Sequence, residues 1–311
     1  MNPCPMSPTP MTLAPPSCSG SCTEIWFVRH GETNSNAKQE VAGQSDANGL
    51  TKLGQLQAFE TGRYLSRIPF DCAFSSDSVR TRQTTSLLLL GGVGVHPESV
   101  LLSALLREKK AGVLLGSKYG ATKRAAARAN VPVAQYRPEG GESWEDVSNR
   151  AYLFAAEAIK KGPRIAATRD VESGVQTRGR GRVTRVLAVS HGGFIKMFPS
   201  CLFGQVQVRA KTRRTPPYIY CISIYQYILY VPYSQVSKRV DNCSISIVRI
   251  HSLPLTPTSP DPVALFSYYQ HLHVRAAPVP KAILLESERH PVMTRLRREV
   301  AHWYPNDDDG A

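Results

Sequence analysis

Two histidines carry the chemical interest of this sequence. The first stands in Arg29-His30-Gly31-Glu32-Thr33, with Asn36 three residues on, directly after the apolar run Ile25–Val28. The second stands in Ser190-His191-Gly192-Gly193, after the apolar run Val186–Val189. Short apolar runs that end at polar clusters read as buried strands, and in an open α/β sheet ligands bind outside the carboxyl ends of the strands. A histidine at such a strand end is placed to attack phosphorus through a neutral imidazole nitrogen. A neighbouring guanidinium offers a fork of donors to the equatorial phosphoryl oxygens. Gly31 lets backbone approach closely, and a helix opening after His191 adds backbone donors suited to an anion.

Two further residues suit a phosphate site. Arg80, in Ser75-Ser76-Asp77-Ser78-Val79-Arg80-Thr81, falls on the first turn of an expected helix. Glu108, in Leu105-Leu106-Arg107-Glu108-Lys109, supplies the carboxyl group needed to protonate a leaving alkoxide and later to activate water. Taken singly, each has an ordinary reading, a satisfied buried histidine or a solvated glutamate. Together and in this order they describe one chemistry.

The elements that must hold them alternate. Thr51 caps an expected helix carrying Leu53, Leu56, Phe59 and Leu65 on adjoining turns. Cys72–Phe74 reads as a strand and Val79–Leu90 as a helix. Ser143 to Ile159 reads as a helix with Ser143 as cap and Asp146 three residues on. Gly192–Phe198 starts a helix that Pro199 is expected to cut, and residues 244–249 form a last strand. Strand–helix alternation predicts an α/β fold, a three-layer sandwich with a mostly parallel central sheet and helices on both faces. Residues 1–23, with six prolines, read as a disordered leader, and residues 251–311, with eight more, as a mostly disordered tail.

The formal net charge of +14 invites a nucleic-acid reading, but it is a local anomaly. Residues 173–240 hold eleven basic and no acidic side chains, and six of the 13 tyrosines lie between Tyr218 and Tyr233. No nucleic-acid motif accompanies them, so nucleic acid is not expected as a partner. Residues 199–240 read as a poorly ordered insertion or as translated non-coding sequence. The seven cysteines are odd in number and scattered, which suits a reducing compartment and a cytoplasmic location. Neither a secretory signal nor a convincing membrane span is visible, and a monomer without membrane partners is expected.

The ordered set Arg29-His30-Gly31-Glu32, Arg80, Glu108 and Ser190-His191-Gly192 resembles the histidine phosphatase, or phosphoglycerate mutase-like, superfamily. Leu50-Thr51, Gly54 and Gln57-Ala58 match the segment that follows the first histidine. Leu106–Val113, Arg137–Ser143 and Asn242-Cys243-Ser244-Ile245-Ser246 resemble the TIGAR-type fructose-2,6-bisphosphatases. The resemblance implies His30 as a nucleophile forming a phosphohistidine, and Arg29, Arg80 and His191 as phosphoryl ligands. Glu108 becomes proton donor and then base. Asn36, Gly43, Gln44, Glu142 and Gly192 match positions that line the pocket. The implied mechanism needs no metal and no cofactor. The implied substrate is a small phosphorylated metabolite, fructose 2,6-bisphosphate, and the implied role is restraint of glycolysis.

Two rival readings share part of this set. A phosphoglycerate mutase would use the same His30 and Glu108, though Arg137–Ser143 favours the bisphosphatase branch. A non-catalytic phosphate-binding module would be expected to have lost one of the four parts, which are all present here. The early Pro199 and the basic, tyrosine-rich link to Asn242 depart from the family pattern and bear on substrate fit more than on chemistry.

Overall fold

The computed structural model describes residues 21–172, 183–203, 218–220, 230–232, 240–252 and 265–270. Along the chain run β1 (Ser21–Arg29), α1 (Asn34–Ala37), α2 (Lys52–Leu65), β2 (Cys72–Ser75), α3 (Val79–Leu90), β3 (Val100–Leu102), α4 (Ala121–Arg128) and α5 (Trp144–Glu172). There follow β4 (Val183–Ser190), α6 (Gly192–Phe203), β5 (Tyr218–Tyr220), β6 (Tyr230–Pro232), β7 (Ile245–Ser252) and β8 (Leu265–Gln270). One six-stranded sheet has the order β3-β2-β4-β1-β7-β8, and β5 pairs with β6 in a separate ribbon. In the large sheet β3, β2, β4 and β1 are mutually parallel; β7 runs antiparallel to both β1 and β8.

The alternation of side chains across the pleat builds two cores. Ile25 and Phe27 of β1, Phe74 of β2 and Val186 and Ala188 of β4 face α5 and α6, against Phe154, Ala158, Phe194 and Phe198. Val28, Ala73, Leu187 and Val189 face the other way, against Leu65 of α2 and Leu88 of α3. Helices therefore cover both faces, as the strand–helix alternation predicts. The strands are apolar on both sides because both sides are buried.

Local chemistry sets the element starts. Thr51 Oγ1 accepts the Gly54 N–H at 3.0 Å to cap α2. At α5, Asp146 N–H donates to Ser143 Oγ, and Ser143 N–H donates back to the Asp146 carboxylate at 2.7 Å. This reciprocal cap has the form of a capping box with Asp in the usual Glu position.

Several boundaries differ from the sequence expectation. β1 begins at Ser21, inside the expected leader, because Ser21–Thr23 continue the antiparallel pairing with β7. α5 runs on past Ile159 to Glu172 with Pro163 inside it; Ala151, Phe154, Ala158, Gly162 and Ala166 keep one buried stripe through that point. α6 runs through Pro199 to Phe203, so the proline does not end the helix where its missing N–H suggests. Tertiary packing overrides local preference, since Phe194, Phe198 and Cys201 all belong to the core of that face.

The expected tail is interrupted by β8, which covers the outer edge of β7. Its sequence Leu-Phe-Ser-Tyr-Tyr-Gln holds no proline and is rich in aromatic strand formers. The eight prolines of 251–311 flank this short run without entering it. The leader as far as residue 20, most of the 199–240 segment and the remainder of the tail lie outside the described residues. Among the described residues no helix is long and apolar enough to cross a membrane. Cys22, Cys72, Cys201 and Cys243 are buried, and burial pushes the last three thiols up to about 12.

Candidate active site

β1 and β4 are neighbours in register, with Arg29 opposite Ser190, so His30 and His191 leave the sheet side by side. Their ring centroids are 5.3 Å apart at 62°. His30 is 4% exposed and His191 fully buried. The His30 backbone N–H donates to Ser190 O at 3.0 Å, which ties the two strand ends together. His30 Nδ1 lies 2.7 Å from Gly31 O. A carbonyl can only accept, so Nδ1 carries the proton and Nε2 of the neutral ring keeps its lone pair. Burial, then the charges of Arg29 and Arg80, hold the His30 pKa well below the usual imidazole value. Burial, then Arg80, do the same for His191. Both rings are therefore neutral in the free protein at neutral pH.

Gly31 is required by packing. A Cβ on Gly31 would collide with the backbone of Gly54 on α2, and a Cβ on Gly54 with the backbone of Glu32 in the turn after β1. Gly31 N–H donates to Thr84 Oγ1 of α3 at 3.0 Å. The histidine is thus held between two helices and two strands.

Arg80, on the first turn of α3, is 1% exposed. Its Nη2 donates to Gly43 O at 2.7 Å and its Nη1 to Ser45 O at 2.9 Å. Its Nε and His191 Nδ1 are buried and have no hydrogen-bond partner. Arg29 Nη1 donates to Val240 O at 2.6 Å. His191 Nε2 is 3.0 Å from Ser76 Oγ.

Glu108 closes the site from the far side. Its Oε2 accepts the Gly193 N–H at 2.9 Å and its Oε1 the Lys109 N–H at 2.8 Å. One of the donors expected from the helix after His191 is thereby spent on the carboxylate. A Cβ on Gly193 would run into that carboxylate and the Trp144 ring, so glycine here leaves Glu108 undisturbed against α6.

These groups surround a cavity of about 660 Å³. Arg29, His30, Asn36, Gly43, Arg80, Glu108 and Gly192 line it, whereas His191 packs behind His30. Gln44 and Glu142, expected in the lining, stand behind Glu108 instead. Gln44 Nε2 donates to Glu108 O at 2.9 Å, and Glu142 accepts from the Lys110 N–H at 2.8 Å.

Sequence reasoning passed over several residues. Asn242 Nδ2 donates to His30 O at 3.0 Å and to Asn36 Oδ1 at 2.9 Å, so the turn before β7 fixes both. Lys109, 6% exposed, lies 5.5 Å from the centre of the Trp144 ring and lines the cavity. Arg150 of α5 reaches the segment that carries Glu108. A distinct Asn-Cys-Ser motif marked the first. The other two depend on long-range pairing that no local spacing reveals.

The model of the histidine phosphatase superfamily (branch 1) matches residues 25–217. The fructose-2,6-bisphosphatase TIGAR B of Danio rerio is 32% identical over 184 residues, 56% of this chain and 72% of that protein. The fructose-2,6-bisphosphatase TIGAR of Xenopus tropicalis is 35% identical over 130 residues, 42% of this chain and 47% of that protein. Among solved structures, phosphoglycerate mutase from Bacillus anthracis superposes with a TM-score of 0.54 at 19% identity, covering 82% of this chain and 94% of that one, a likeness of fold. With the family pattern spanning both histidines and TIGAR phosphatases among its relatives, this chain belongs to the histidine phosphatase superfamily as a TIGAR-type phosphatase.

Proposed function

We propose that the protein hydrolyses a phosphomonoester of a small sugar bearing a second anionic group, with fructose 2,6-bisphosphate as substrate and fructose 6-phosphate and inorganic phosphate as products, and so restrains glycolysis. The observation that carries this reading is the neutral His30, its Nε2 lone pair free, beside His191, the buried Arg80 and the half-buried Arg29. In the first transfer, His30 Nε2 forms a bond to phosphorus as the P–O bond to the sugar breaks. The departing oxygen takes a proton from Glu108. In the second, a water gives its proton to Glu108 as its oxygen attacks phosphorus and the N–P bond breaks. Arg80 Nε and His191 Nδ1, buried without partners, are suited to hydrogen-bond phosphoryl oxygens whose charge is redistributed in each transfer.

Charges elsewhere on the wall support a second anion on the substrate. Lys109, Lys123 and Lys196 line the cavity, and so does the start of α4 at Gly120–Lys123, whose first turn holds no acidic residue. The likeness to TIGAR fructose-2,6-bisphosphatases supports the same bisphosphate. The test is release of inorganic phosphate from fructose 2,6-bisphosphate by the purified full chain, with 2- and 3-phosphoglycerate as parallel substrates. Stoichiometric fructose 6-phosphate supports the reading. Interconversion of the phosphoglycerates without phosphate release would make the protein a mutase.

A further inference from the structure

Glu108 stands on a stretch with little regular structure of its own: a single 3-10 turn, Ala104–Leu106, precedes it. An acid that must meet a leaving oxygen cannot be left to a loose segment, because its contribution depends on hydrogen-bond reach. The neighbouring pair Arg150 and Glu142 supplies what the segment lacks. Arg150 Nη1 donates to Leu105 O at 2.7 Å and to Arg107 O at 3.1 Å, and Nη2 donates to Glu108 O at 3.3 Å. Nε and Nη2 grip the Glu142 carboxylate at 2.8 and 2.9 Å, and that carboxylate accepts the Lys110 N–H. One ion pair therefore holds four backbone groups between residues 105 and 110. Both partners stand on rigid ground: Arg150 is on α5, and Glu142 sits just before the capped start of that helix. Neither lines the cavity.

We infer that Arg150, locked by Glu142, is a positioning residue for Glu108, holding its carboxyl group where the leaving oxygen departs. The inference rests on the reading of Glu108 as the acid. The planar fork grips the Glu142 carboxylate through Nε and Nη2 while Nη1 and Nη2 hold the carbonyls of 105–108, and an ammonium reproduces only part of that set.

The experiment measures kcat/KM, which reports the first transfer, for p-nitrophenyl phosphate, phenyl phosphate and alkyl or sugar phosphates. Wild type, Glu108→Gln, Arg150→Met and Arg150→Lys are compared. Nitrophenolate departs without a proton, whereas an alkoxide needs one. Glu108→Gln should therefore lose most with alkyl esters. Arg150→Met should follow it, losing about 10- to 100-fold with alkyl esters and only a few-fold with p-nitrophenyl phosphate. Arg150→Lys should recover part of that loss. An equal loss across all esters, or none, would overturn the inference. If Arg150→Met does not fold, Glu142→Gln reads the same dependence. If Glu108→Gln itself shows no leaving-group dependence, Glu108 is not the acid and both readings fall, which separates that failure from one confined to Arg150.

Discussion

At the scale of single residues, the site is set by which groups are kept neutral and which charges are kept close. Two buried imidazoles beside two arginines cost stability when protonated. Their folded pKa values lie below the ordinary 6.5, so between the two values the unfolded chain binds more protons than the folded one. Stability from this source is fully present above pH 6.5 and is lost as pH falls below it. Urea unfolding midpoints should decline from pH 6.5 to 5, and His191→Asn should flatten that decline; an unchanged slope would show that His191 is protonated in the fold. Lys109 should matter for the second anion. Lys109→Met should raise KM for fructose 2,6-bisphosphate by about 10-fold or more, the worth of one charge-assisted hydrogen bond, and affect a sugar monophosphate less. Equal effects on both substrates would remove Lys109 from the second subsite.

At the scale of elements, much of the site was legible because its residues are adjacent to strand ends and helix starts. Arg29-His30-Gly31 and Ser190-His191-Gly192 each close an apolar run, and the pairing of β1 with β4 then makes their meeting unavoidable. Arg80 was legible for the same reason, one residue into α3. What stayed hidden was tertiary. Gln44 and Glu142 match family positions, yet their side chains turn to the back of Glu108, a choice made by Arg150 from a helix that only folding brings near. Pro199 reads as a break because local rules see the missing N–H and not the aromatic core that holds α6 against α5. That core is concentrated at Phe154, which touches Phe27, Phe74, Phe194 and Phe198 with ring centroids 5.4 to 6.4 Å away. Phe154→Ala should cost about 3–5 kcal/mol in chemical denaturation, since it empties the layer between α5, α6 and the sheet. A loss below 1 kcal/mol would place the weight of that core elsewhere.

At the scale of the whole molecule, the net charge of +14 and the phosphate site are separate facts. Among the described residues, Arg29, Arg80 and Lys109 line the cavity from outside the basic stretch, and Lys196 lines it from within. The fold brings these charges to one end of a sheet and spends them on one cavity. The proposed reaction phosphorylates His30, and not His191. It is tested by rapid acid-free quenching of the full chain during turnover of fructose 2,6-bisphosphate, followed by peptide mass spectrometry under alkaline conditions. Expected is an acid-labile phosphoryl group on the peptide that contains His30, attached at Nε2, and its absence in His30→Ala together with loss of phosphate release. A phosphoryl group on His191, or turnover that persists in His30→Ala, would contradict it.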